Sequence, residues 1–229
     1  MINCKLHRFC AYAALVATLS GCAGSSSTAS ATGQATMTIT WPDQSRLIPE
    51  ASNSINVALW QGTTVIASKT VARPTSSNQS TLSFTGLPSG TLTLVAQAFP
   101  STDGSGVAQA SATQSVAITA ASTTSVTVTM ASTITTLSVS PATVTLDSGY
   151  TQSLTATAFD STGATVLISA STLTWASSDT SVATVDSLGV VTAVASGSAT
   201  ITATETESGK TATSAVTVSG TGGANVTVK

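Results

Sequence analysis

The side chains able to do chemistry are few, and most of them crowd the N-terminus. The single histidine, His7, and all three cysteines, Cys4, Cys10 and Cys22, fall within the first 22 residues. Beyond Cys22 no imidazole or thiol remains. Neither a Ser-His-Asp nor a Cys-His nucleophile can be assembled there, and zinc sites of the usual His and Cys type are excluded as well. What remains is a set of nine acids: Asp43, Glu50, Asp103, Asp147, Asp160, Asp179, Asp186, Glu205 and Glu207. A glycosidase needs two carboxylates at a defined separation, and these are scattered along the chain. Asp43 and Glu50 flank Trp41, a pattern that could frame a sugar platform; the plainer reading is a solvated loop beside a core tryptophan. Asp147, Asp160, Asp179 and Asp186 lie in turn contexts, where Asp accepts hydrogen bonds from its own backbone. Glu205 and Glu207 near Lys210 read as a solvated hairpin. No DxDxD-type run supplies the oxygens of a calcium site, and no Gly-rich loop is built to cradle phosphate. The expectation is a protein without catalytic residues, metal or cofactor.

Cys22 stands apart. Lys5 and Arg8 precede an apolar stretch, Phe9 to Leu19, which runs into Ser20-Gly21-Cys22. A charged start, a short apolar region and small residues before a cut site describe a secretory signal. The stretch is too short to span a bilayer, which takes about 20 apolar residues. Leu19-Ser20-Gly21-Cys22 resembles the lipobox of bacterial lipoproteins. That resemblance implies a signal peptide over 1–21, a thioether-linked diacylglycerol on Cys22, further acylation of the palmitate type, and Cys22 as first residue of the mature chain. An ordinary secretory signal with an incidental Cys is the other reading. Ala23, where an Asp would signal retention, implies sorting to the outer membrane. Residues 22–34 are otherwise small and polar and read as a flexible tether, reaching about 20 Å.

The elements that must follow are strands. Only 7% of residues are charged, while Ser and Thr number 82. Abundant Thr, Val and Ile with little Glu, Lys or Leu favour a pleated sheet over helix. After Arg8 five basic side chains face nine acids, so no basic stripe exists for nucleic acid. Over 35–131 apolar residues alternate with polar ones. The runs are Met37, Ile39, Trp41; Ile55, Val57, Leu59; Leu82, Phe84; Leu92, Leu94, Ala96, Ala98; and Val126, Val128, Met130. Period two is the strand signature, and Gly62, Gly86 to Gly90 and Asp103 to Gly106 punctuate it with turn chemistry. About seven strands in roughly 95 residues predict an immunoglobulin- or fibronectin-like sandwich. Trp60 and Tyr150 are candidate exposed contacts.

Over 132–219 the segments are more distinctive. Thr135 to Pro141, Val144 to Leu146, Thr151 to Ala158, Leu173 to Asp179, Ser181 to Asp186, Gly189 to Val194, Gly197 to Ala203 and Ser214 to Val218 follow in order. Trp175 should be a large apolar anchor beside Leu173, Gly189 should serve a hairpin turn, and Pro141 belongs at an edge or strand switch. This order of segments resembles the bacterial group 2 immunoglobulin-like domain (BIG2). The resemblance implies stalks or binding surfaces in surface proteins such as intimins and invasins, some of whose relatives bind calcium. Residues 220–229 read as a Gly-rich hinge and an alternating tail. The whole predicts an all-β protein of two tandem immunoglobulin-like sandwiches behind a signal peptide and tether. It would be a non-enzymatic cell-envelope lipoprotein acting as a structural, adhesive or partner-binding module, with a carbohydrate-binding surface module as the alternative; its partners are the membrane, through its lipid, and an envelope protein or a glycan.

Overall fold

The alternation of apolar residues becomes the inner faces of two β-sandwiches. The computed structural model describes residues 31–41 and 49–220; the signal segment, Cys22, Asp43 and the tail after Gly220 lie outside the described residues. Eight strands form the first unit: β1 (Thr32–Thr40), β2 (Ser54–Gln61), β3 (Thr64–Ala72), β4 (Gln79–Pro88), β5 (Gly90–Phe99), β6 (Ala110–Ile118), β7 (Thr123–Val126) and β8 (Ala131–Ser132). They make a three-stranded sheet, β4-β1-β7, and a five-stranded sheet, β3-β2-β5-β6-β8. β1 begins at Thr32, so its first three residues were part of the segment expected to be tether. Every alternating residue named above lies in one apolar cluster, Val128 at its margin. Val57 and Leu59 are fully enclosed, and Trp41 is 2% exposed. Inward and outward positions along one strand are fixed by the pleat, which is why composition and period carry this part of the fold.

Ten strands, most of them shorter, form the second unit: β9 (Thr136–Ser140), β10 (Thr143–Asp147), β11 (Thr151–Ser153), β12 (Thr155–Phe159), β13 (Thr165–Val166), β14 (Leu173–Ser177), β15 (Ala183–Val185), β16 (Val190–Ala193), β17 (Gly197–Glu205) and β18 (Lys210–Ser219). A single 3-10 turn, Ala170–Thr172, precedes β14. The sheets are β10-β18-β17-β14, β11-β16-β15 and β13-β12-β9. Pro141 does mark a strand switch. β9 pairs with β12, and two residues beyond Pro141 the chain pairs in parallel with β18. A second switch falls at Leu154, between β11 on β16 and β12 on β9. Ala199, Ile201 and Ala203 point into the core, as their spacing requires.

The β15–β16 hairpin turns on Asp186 and Gly189. The Asp186 carboxylate accepts from the backbone N–H groups of Leu188, at 2.9 Å, and Val190, at 2.8 Å. Gly189 takes φ +80°, and a Cβ there would lie 2.8 Å from Trp175 Cζ2 and 2.9 Å from the Leu154 carbonyl oxygen. Trp175 is half-buried, with its ring laid over this turn and the edge of the core. It therefore serves less as a central anchor than its strand position suggested.

Candidate functional site

The segment joining the sandwiches is short and held at every residue. β8 pairs with β6 through Ala110–Ser132 and Ser111–Ala131. Thr133 N–H donates to the Gln109 carbonyl at 3.0 Å, and Thr135 N–H donates to that of Phe159 at 2.9 Å. Between them Ile134 is buried in a small apolar cluster with Ala158 and Val166, against which Val107, Leu137 and Ile168 pack. One side of this cluster, Val107, comes from the first unit; the rest comes from the linker and the second unit. Four residues fixed by backbone pairing and a buried isoleucine leave little torsional freedom for a hinge.

Two polar clasps reinforce the joint. Gln109, 1% exposed, accepts from Ser52 Oγ at 2.7 Å and donates through Nε2 to the Leu167 carbonyl at 2.9 Å. Both ends of its amide are thereby satisfied, as burial demands. The second clasp is Glu50. Its backbone N–H donates to Glu207 Oε1 at 2.9 Å, its carbonyl accepts from Arg73 Nη1 at 3.0 Å, and its carboxylate accepts from Ser171 Oγ. Arg73 in turn stacks over Trp41, 5.4 Å from the ring centroid, and Trp41 Nε1 donates to Ser80 Oγ at 2.9 Å.

The β17–β18 tip that meets Glu50 is built from inside. Glu205 is fully buried. Its carboxylate accepts from the N–H groups of Glu207, at 3.1 Å, and Ser208, at 2.7 Å, and from Ser208 Oγ at 2.5 Å. The Thr172 carbonyl accepts from Thr206 N, 2.8 Å away, and Thr206 Oγ1, 3.0 Å away, tying the 3-10 turn to this tip. Burial pushes the Glu207 carboxyl above its ordinary 4.5; Glu205 and Glu50 push the same way, while the hydrogen bond from Glu50 N–H and the Arg73 charge oppose them. The expected solvated hairpin is therefore corrected: it is a docking element with a buried carboxylate.

The other candidate residues do not converge. Trp41 is buried beneath Arg73 and cannot offer its face to a sugar. Trp60 is half-buried, paired in register with Val65 and Thr93, and Tyr150 is 66% exposed in a turn remote from it. Asp160 and Asp179 are engaged by their own turns, Asp160 by Thr162 and Asp179 by Ser181, and these bonds hold both carboxyls below the ordinary value. Asp103 is held down to about 2 by Ser105 and Ser101. Among the described residues no group of three or more His, Cys, Asp or Glu is placed to hold a metal. Sequence reasoning missed Gln109, Ser52 and Glu50 as partners. Their contacts span 57 to 157 residues of chain, and no local period encodes them.

Residues 133–216 match the family model of the bacterial Ig-like domain (group 2). The match coincides with the second unit and leaves the first unassigned. Among solved structures the chain is similar to the surface layer protein SbsC, domains 1–6, at 19% identity and a TM-score of 0.36. That alignment covers 73% of this chain and 20% of the other. It is also similar to the C-terminal 282-residue fragment of intimin in complex with the translocated intimin receptor. There the identity is 15%, the coverage 72% and 51%, and the TM-score 0.32. Drosophila N-cadherin EC1-4 follows at 18% identity, 74% and 42% coverage and a TM-score of 0.30. The chain spans about a fifth of the SbsC structure, and all three scores are too low to bear on role. No curated protein matches the chain.

Proposed function

We propose that this chain is a non-enzymatic cell-envelope lipoprotein that holds two Ig-like sandwiches in fixed relation, as a spacer and docking module for another envelope protein. The observation that carries this reading is the joint: Ile134 is buried, and Gln109 bridges Ser52 to the Leu167 carbonyl. A stiff joint sets distance and orientation, which a presenting module needs and a flexible linker would lose. The group 2 match over 133–216 supports a surface setting. The glycan-binding reading, which drew on Trp41 and Trp60, is not carried forward, because Trp41 is enclosed and Trp60 is half-buried within the sheet between Val65 and Thr93. In this proposal Cys22 bears the lipid, the outer membrane is the site, and about two or more acyl chains give stable anchoring.

Two experiments test it. With Cys4, Cys10 and Cys22 changed to Ser so that only the introduced thiols are labelled, spin labels at Ser68→Cys and Tyr150→Cys should give one narrow distance distribution in the full chain, broadened by Gln109→Ala. A distribution already broad with Gln109 in place would refute the stiff joint. For the anchor, Cys22→Ser should abolish fatty-acid labelling and release the protein from membranes; labelling that persists would end the lipoprotein assignment.

A further inference from the structure

In each unit an entry strand and an exit strand lie side by side and run the same way. β1 pairs in parallel with β7, from Gln34–Thr123 to Met37–Val126, and the Gln34 N–H donates to the Ser122 carbonyl at 2.9 Å. β10 pairs in parallel with β18, from Thr143–Ala215 to Asp147–Ser219. Ala215 N–H donates to the Ala142 carbonyl at 2.9 Å and Ser148 N–H to the Ser219 carbonyl at 3.2 Å, closing both ends of that ladder. The chain enters the first unit at the end away from the joint, where Thr32 pairs with Pro88. It leaves the second at Ser219, β18 having started at Lys210 beside the Glu207 tip. A pull on these two ends slides β1 against β7 and β10 against β18. Every backbone bond across each pair is then loaded at once and must give together, whereas a pull that opens a hairpin breaks one pair at a time. Resistance to force follows the barrier on the path that is loaded, not the total stability.

The two clamps are unequal. Among the described residues β7 is a four-residue edge strand with β1 as its one strand neighbour. Beyond it, Thr127 to Met130 carry no strand pairing among those residues, and only the two residues of β8 then meet β6. In the second unit a load arriving from the joint reaches β9 first, which meets β12 from Thr136–Phe159 to Ser140–Thr155. Only behind β9 does it reach the five-residue β10 ladder. β18 itself is held on both sides, by β10 and by β17 from Gly197–Val218 to Glu205–Lys210. The first unit thus has the core of larger side chains but the shorter clamp.

We infer that the chain is a link that carries tension between its two ends, in which the first unit yields before the second and releases length while the second stays folded. This goes beyond the presenting role proposed above. It does not rest on the lipid at Cys22, since it holds for any load applied at residues 31 and 220.

Single-molecule pulling on the full chain tests it. With Cys4, Cys10 and Cys22 changed to Ser, handles at Ala31→Cys and Gly220→Cys load the chain end to end. Handles at Ser89→Cys and Thr119→Cys, beside the Gly90–Ile118 pair, instead open the β5–β6 hairpin of the first unit. Handles at Ser196→Cys and Ser219→Cys, beside Gly197–Val218, open the β17–β18 hairpin of the second. All four hairpin positions are exposed, so the handles leave both cores intact. The expected end-to-end trace has two steps. The weaker comes first and is the longer by about 60 Å, because residues 32–132 hold more chain than residues 136–219. Each step needs at least about twice the force that opens the hairpin of the same unit. Equal force in the two geometries overturns the inference, because the terminal pairs would then not be what resists. The shorter step arriving first, or both units giving way in a single step, overturns it as well.

Discussion

The two sandwiches reach a closed core by different routes. The first uses long strands, most of eight to ten residues, whose inward residues form one cluster of Leu, Ile, Val, Met, Phe and Trp. The second uses strands mostly of two to five residues, relies on alanine and valine, and turns corners at Pro141 and Leu154. Where strands are long, burial of large side chains dominates stability. Where they are short, turn geometry and backbone approach must do more of the specification. The contrast explains why the first unit is legible by period and the second by its turns.

The sharpest way to break this contrast is to delete bulk from the first core. Leu59→Ala, at a fully buried site, should cost about 2–5 kcal/mol, seen as a lower urea midpoint. A change below that range would mean the long strands do not depend on core volume. The matching change in the second unit is Gly189→Ala, where positive φ and the Trp175 and Leu154 approaches combine. It should cost about 2–4 kcal/mol from backbone strain and overpacking. Calorimetry would show the loss, and an unaltered transition would remove the turn from the account. Gln109→Ala leaves the Ser52 hydroxyl and the Leu167 carbonyl without their partner and should cost about 1–3 kcal/mol. If the joint couples the units, that variant should split a shared melting transition in two.

The smallest effect is electrostatic and opposes the joint to the turns. The Glu207 carboxyl is raised, first by burial and then by Glu205 and Glu50. Its stabilising contribution is therefore complete below the unfolded value and is lost as pH rises through the folded one. Asp103, Asp160 and Asp179 are lowered by their turn hydroxyls, so their contributions hold above the ordinary 3.8 and fade as pH drops below it. Glu207→Gln should thus gain on the unmodified protein as pH climbs from 4 towards 7 in melting-midpoint titrations. A constant gap between the two across that range would show that Glu207 is not desolvated at the joint.

Read alone, the sequence determined which faces of the strands are apolar and that Asp160, Asp179 and Asp186 cap turns; Asp147, expected to do the same, instead ends β10. Both depend on neighbours within a few positions, through the pleat and through Asp-to-backbone hydrogen bonds. Ile55, Val57 and Leu59 on one side and Asp186 with Gly189 on the other needed nothing more. Only the tertiary structure decided that Trp41 lies beneath Arg73, that Glu205 is sealed inside a turn, and that Gln109 and Glu50 clasp the two units. Those outcomes depend on which turn of one sandwich meets which loop of the other. A charged or amide side chain has the same local signature whether it faces water or a partner brought from 50 or more residues away, so its burial is set by packing rather than by pattern.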